Sequence, residues 1–180
     1  IYNAGTINAD TSNLLSYTNF YLNKAGDSNS DTSGLGGAIY NASGNITIEN
    51  STFSENQAVH KTAKGGAIFN AAGAGLTIGN KTVINENKAL SSVEGEYAAG
   101  GAIYNQGTLT IKEGSTLAFN KTDGMGGAIF NEAGAVTTLG NGVVIGGLMD
   151  EYYNEQEATA GNEALKGGGI YNCISPSLAI

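Results

Sequence analysis

Apolar and polar residues alternate with a period of two in a set of short stretches spread along the chain. Ile46-Thr47-Ile48, Leu76-Thr77-Ile78 and Leu109-Thr110-Ile111 are the clearest, joined by Thr6-Ile7-Asn8 and Val136-Thr137-Thr138-Leu139. Such alternation predicts half-buried strands with Ile or Leu turned inward and Thr outward. No stretch shows the spacing of an amphipathic helix.

These strands follow a phrase that keeps returning: Gly36-Gly37-Ala38-Ile39-Tyr40-Asn41. It recurs at residues 65–70, 100–105 and 126–131, with Gly-Gly-Gly-Ile-Tyr-Asn at 167–172 and a partial copy at Ile1-Tyr2-Asn3. The isoleucines stand at 1, 39, 68, 103, 129 and 170, so the gaps run 38, 29, 35, 26 and 41. A second phrase, apolar-x-x-Asn-x-small, follows each strand: Phe20 to Ala25, Phe53 to Ala58, Ile84 to Ala89, and weaker copies at residues 117–122 and 159–164. A fixed phrase with variable spacers marks a stacked repeat.

The expected fold is therefore all-β: a right-handed, single-stranded parallel β-helix of about five to six rungs, with three short strands per rung. The handedness follows the rule for parallel crossovers. Residues 1–180 read as one repeat domain, and because Ile1 lies inside a repeat, as a piece of a longer surface protein. Rungs about 4.8 Å apart make a body roughly 24 Å long.

Stacking turns every repeat position into a column. Ile39, Ile68, Ile103, Ile129 and Ile170 are expected to form the inner one, each contributing about 1.5–3 kcal/mol of burial. Asn41, Asn70, Asn105, Asn131 and Asn172 are expected at a bend, their amides bonded to one another and to turn backbone. The double glycine supplies positive φ or close backbone approach. Between Ile and Asn an aromatic residue alternates Tyr and Phe and should point outward. Two readings of that row stand open: a cross-rung aromatic ladder, or a binding stripe in which Tyr40 and Tyr104 contact a sugar or protein.

Composition narrows the function. The chain of 180 residues carries a net charge of −8, and its eight basic residues are all lysine. That balance argues against nucleic acid, which needs clustered cations, and against anionic lipid. With a single cysteine, Cys173, no internal disulfide framework exists. No run is long and apolar enough for a membrane helix, so direct membrane insertion is not expected.

The Gly-Gly-Ala-Ile tetrapeptides at residues 36–39, 65–68, 100–103 and 126–129, in phase with Phe20…Asn23 and Phe53…Asn56, resemble the motif pair of the polymorphic outer-membrane protein family of chlamydiae. Those are autotransporter-type surface proteins with a β-helical passenger. The resemblance implies adhesion or surface display, attachment to the outer membrane through a domain outside this chain, and no catalytic residues. The family's passengers are richer in cysteine, and its membrane barrel is missing here.

An enzyme on this scaffold needs clustered carboxylates with a cation or metal on one face. The positions after the inner Ile read Glu49, Gly79 and Lys112, and the single histidine, His60, stands in a spacer. No catalysis and no cofactor are expected. Asp27-Ser28-Asn29-Ser30-Asp31 begins like a calcium loop but lacks its later Gly and Glu, and reads as a solvated turn.

The candidate recognition element is an acidic, tyrosine-bearing insertion in the longest repeat, with Asp150, Glu151, Tyr152, Tyr153, Glu155 and Glu157. Loops on a rigid scaffold are where binding concentrates. Residues 26–35 and 91–99 are shorter candidates. The expected partner is a host-cell protein or glycan receptor, or a second copy stacked end to end. Function thus reads as a non-enzymatic adhesin, passenger or stalk at the bacterial cell surface, with a self-assembling fibre and a carbohydrate-active enzyme as alternatives.

Overall fold

In the computed structural model, which describes residues 1–5, 15–28, 33–146 and 161–173, the alternating stretches from Ile46 onward pair strictly in parallel and in register, while Thr6-Ile7-Asn8 lies outside the described residues. The result is a parallel β-solenoid, and no helix occurs among the described residues. The turns that begin at Ile39, Ile68 and Ile103 are described in full.

Each of those turns contributes to four sheets. In the middle turn the strands are Ile68–Asn70, Gly75–Gly79, Val83–Asn85 and Lys88–Leu90. The neighbouring turns supply Ile39–Asn41, Asn45–Glu49, Thr52–Ser54 and Gln57–Val59 on one side. On the other stand Ile103–Asn105, Thr108–Ile111, Thr116–Ala118 and Lys121–Thr122. Three strands per turn is therefore corrected to four. The apolar-x-x-Asn-x-small phrase is not one strand; it is split by a corner. Leu22, Glu55, Glu86 and Phe119, each just before the Asn, have φ between 55 and 59°. That left-handed residue turns the chain and starts the fourth sheet, where Ala25, Ala58 and Ala89 stack inward.

The first sheet runs through six strands, from Tyr2–Asn3 to Ile170–Asn172, in repeat order. Its registers pair Ile39 with Ile68, Ile68 with Ile103 and Ile103 with Ile129. Those four isoleucines are fully buried, and Ile170 packs half-buried against the same core. Ile46, Leu76 and Leu109 form a second inner column, Ile48, Ile78 and Ile111 a third, and Phe53, Ile84 and Leu117 a fourth. Thr47, Thr77 and Thr110 face outward in register. Phe20 stacks on Phe53 with ring centroids 4.3 Å apart.

The two glycines of the anchor phrase have different jobs. The first is left-handed, with φ of 60° at Gly36 and 69° at Gly65. The second lies where two stretches of the chain nearly touch: a methyl group at Gly66 would collide with the carbonyl oxygen of Gly101 and stand 2.6 Å from the nitrogen of Lys88. Any side chain there pushes the first sheet away from the fourth and opens the turn.

Candidate functional site

The aromatic row points outward, as alternation requires, yet it is not an open stripe. Phe69, Tyr104 and Phe130 are buried, Tyr40 is half-buried, and only Tyr2 at the edge is widely exposed. The rings cover one another's faces: Phe69 and Tyr104 lie 5.4 Å apart and nearly parallel, Tyr104 and Phe130 4.7 Å. Ala99 belongs to the same cluster, and Leu35, Ala71, Met125 and Cys173 pack against it. Lys64 Nζ sits 4.6 Å from the Tyr104 ring centre, a cation–π contact. The Tyr104 hydroxyl donates to Glu132 Oε2 at 3.0 Å, and Gln106 Nε2 donates to the same oxygen. Burial, then the bond to Glu132 and its charge, raises the Tyr104 pKa far above the usual phenol value. Burial and the Glu132 charge also push the Cys173 thiol up. Of the two readings left open, the ladder is the one the packing supports. Tyr104 has no free face to offer a ligand, while Tyr40 offers half of one.

Asp150, Glu151, Tyr152, Tyr153, Glu155 and Glu157 lie outside the described residues, as do Asn29 and Asp31 of the candidate calcium loop. The insertion's flanks are described. Gly146 donates its N–H to Leu117 O at 2.8 Å, and Asn162 Nδ2 donates to the same Leu117 carbonyl at 2.9 Å. Both flanks, Gly146 and Asn162, are thus held at the corner between the third and fourth sheets.

The same corner carries a groove of about 490 Å³. The left-handed corner residues Leu22, Glu55, Glu86 and Phe119 line it together with Lys88 and Lys121 of the fourth sheet. Lys121 Nζ pairs with Glu163 at 2.6 Å, both largely exposed. Tyr21, the residue before Leu22, is held protonated to higher pH by its hydrogen bond with Glu55 and that carboxylate's charge. Sequence reasoning missed this groove. Its residues stand at the x positions of the second phrase, which look interchangeable until the left-handed corner turns them out of the rod.

A second exposed feature lies where the fourth sheet returns to the first. Residues 91–98 form an extruded loop whose two ends are tied by one carboxylate. Ser91 N donates to Asp123 Oδ2 at 2.7 Å and Ala98 N to Asp123 Oδ1 at 2.9 Å. Ser91 Oγ also donates to Lys61 O at 2.9 Å. The loop is thereby held to the rungs on both sides and presents Val93, Glu94, Glu96 and Tyr97 to solvent. His60 stands half-buried at its foot, where its carbonyl accepts the N–H of Ser92.

No curated protein and no solved structure matches the chain. One family model does, over residues 50–71, a segment that holds Phe53, Asn56 and the whole of the following Gly65-to-Asn70 phrase. That segment, which contributes to the third, fourth and first sheets in turn, matches the Chlamydia polymorphic membrane protein repeat.

Proposed function

We propose that this chain is the rigid, non-enzymatic passenger of a bacterial surface protein, displayed beyond the outer membrane and acting in attachment. The rod would be wound right-handed through five to six rungs. The single observation that carries this reading is the match of residues 50–71 to the chlamydial repeat, together with a ladder architecture that extends the same phrase through every described turn. A scaffold of this kind tolerates loop variation, because each turn is supported by its neighbours rather than by its spacers.

Attachment then belongs to the loops, with the insertion at residues 149–157 and the clamped loop at 91–98 as its two elements. Tyrosines set among carboxylates, Tyr152 and Tyr153 in one and Tyr97 in the other, are suited to anchoring on a protein or glycan receptor. Beads coated with the chain, applied to cultured epithelial cells, test this. Attachment should fall when either loop is replaced by a Gly-Ser bridge, while β-sheet circular dichroism stays unchanged. Attachment equal to that of uncoated beads would reduce the chain to a spacer.

End-to-end stacking is the second reading. It is favoured by the common direction of the two asparagine ladders, in which side-chain amides donate toward the C-terminal neighbour throughout. Such a polar column can continue only head to tail. Light scattering that rises with concentration would support it, and a strictly monomeric chain at high concentration would remove it.

A further inference from the structure

The ladder asparagines are protected against their own chemistry. Asn41, Asn56, Asn70, Asn87, Asn105 and Asn120 are fully buried, and their Nδ2 atoms are held by the next rung. Each is followed by a residue with a side chain, never by glycine. Asn141 differs in all three respects. It stands before Gly142, the one Asn-Gly pair in the sequence. It is exposed, as is Gly142, in the turn between the strands Val136–Leu139 and Val144–Ile145. Among the described residues, no hydrogen bond engages its side chain or the N–H of Gly142. The nearest atom to a Cβ placed on Gly142 is Glu113 Cγ, 4.0 Å away, so the space beside this glycine is open.

We propose that Asn141 is a site of spontaneous deamidation that places an aspartate or isoaspartate at this corner of the rod. The backbone nitrogen of Gly142 gives its proton to water and attacks Cγ of Asn141. The new N–Cγ bond closes a five-membered succinimide, and the Cγ–Nδ2 bond breaks as ammonia leaves. Solvent water then adds to one of the two imide carbonyls, and the bond from that carbonyl to nitrogen breaks. Opening at Cγ gives aspartate; opening at the backbone carbon gives isoaspartate, with one more carbon in the main chain. Glycine permits the attack because it has no Cβ to crowd the nitrogen, and asparagine is the thermolabile partner.

The change stays local. Gly140 N is bonded to Ile111 O at 2.7 Å and Val144 N to Ser115 O at 3.0 Å, so the strands on both sides of the turn remain pinned. The product carboxylate adds a negative charge beside Glu113 in a chain already at −8.

The test holds the folded chain at mildly alkaline pH and maps its peptides by mass spectrometry. Isoaspartate is read separately by enzymatic methylation with a labelled methyl donor. Asn141 should lose its amide on the order of tenfold faster than any buried ladder asparagine, since only it precedes glycine. Asn141→Gln should abolish the isoaspartate signal and the new acidic charge variant while leaving the unfolding midpoint in place. The proposal is overturned if Asn141 keeps its amide in the folded chain yet loses it in denaturant. Equal rates at Asn141 and the ladder positions would overturn it as well.

Discussion

Two asparagine ladders run the length of this rod, and they hold it differently. In the ladder that ends the anchor phrase, each Nδ2 donates to the next rung's Oδ1, 2.8 Å from Asn41 to Asn70 and 2.9 Å from Asn70 to Asn105. It also donates to a backbone carbonyl at the start of the second sheet, as from Asn70 to Thr108 O. The backbone N–H groups here are already spent in the first sheet. In the ladder of the second phrase, each Oδ1 accepts twice. Asn87 Oδ1 takes both the backbone N–H of Asn56, at 3.0 Å, and its Nδ2, at 2.9 Å. The left-handed residue before each of these asparagines breaks the sheet at the corner, and the amide of the next rung supplies the missing acceptor. The first ladder mainly ties side chains together, accepting a backbone N–H only at Asn3 and Asn105; the second completes the backbone in every rung. An unsatisfied buried N–H costs about 1–3 kcal/mol, so the second ladder should matter more per residue.

Asn87→Asp should have the largest effect. Asn87 is fully buried, and its Nδ2 donates to Phe53 O, Asn85 O and Asn120 Oδ1. A carboxylate there faces three oxygens, and the expected loss is at least several kcal/mol, seen as failure to fold or a collapsed denaturant midpoint. Alanine in place of Asn87 and of Asn70 compares the ladders directly. Asn87→Ala orphans the Asn56 N–H, whereas Asn70→Ala orphans no backbone donor, so the first should be worse by roughly 1–3 kcal/mol in urea unfolding. Equal losses would mean that the two ladders do the same job.

Tyr104→Phe removes a half-screened hydrogen bond and should cost about 1 kcal/mol at neutral pH. Its pH dependence is more telling. Because the folded protein raises the Tyr104 pKa, the native state keeps a proton that the unfolded chain releases above about pH 10. Stability should therefore fall as pH rises past that value, and the variant should show a shallower fall. The smallest effect belongs to the corner itself. Glu86 holds φ of 59°, and Glu86→Gly should gain no more than about 1 kcal/mol, since relief of left-handed strain is offset by a floppier unfolded chain.

The inner columns were legible because stacking copies one residue type at a fixed phase: Ile39, Ile68 and Ile103 announce their register directly. The anchor asparagines were legible for the same reason. The fourth sheet was not. Its strands are two or three residues long, and the corner that separates them from the third is made by Leu22, Glu55, Glu86 and Phe119. Leu, Glu and Phe carry no propensity for a left-handed conformation; stacking and the asparagine that follows impose it. Alternation gave the outward direction of Tyr104 correctly but could not give its burial, because the cover comes from Leu35, Ala99 and Met125, set by a separate run of parallel bridges before the double glycine. The groove stayed hidden until that corner was placed. The clamp on residues 91–98 stayed hidden too, since Asp123 lies 25 residues from Ala98.

Hydrogen exchange at the backbone amides of Asn56 and Asn87 tests the central claim most directly. Both donate to a side-chain Oδ1 of the next rung, outside any strand. They should exchange as slowly as the amides of Ile68 and Ile103, through global unfolding alone. In Asn87→Ala the Asn56 amide should become fast while that of Ile103 stays slow. Exchange of Asn56 and Asn87 in the native protein at the rate of an exposed loop, such as Glu94 and Gly95, would contradict the account, and the corners would then be held by something other than their asparagines.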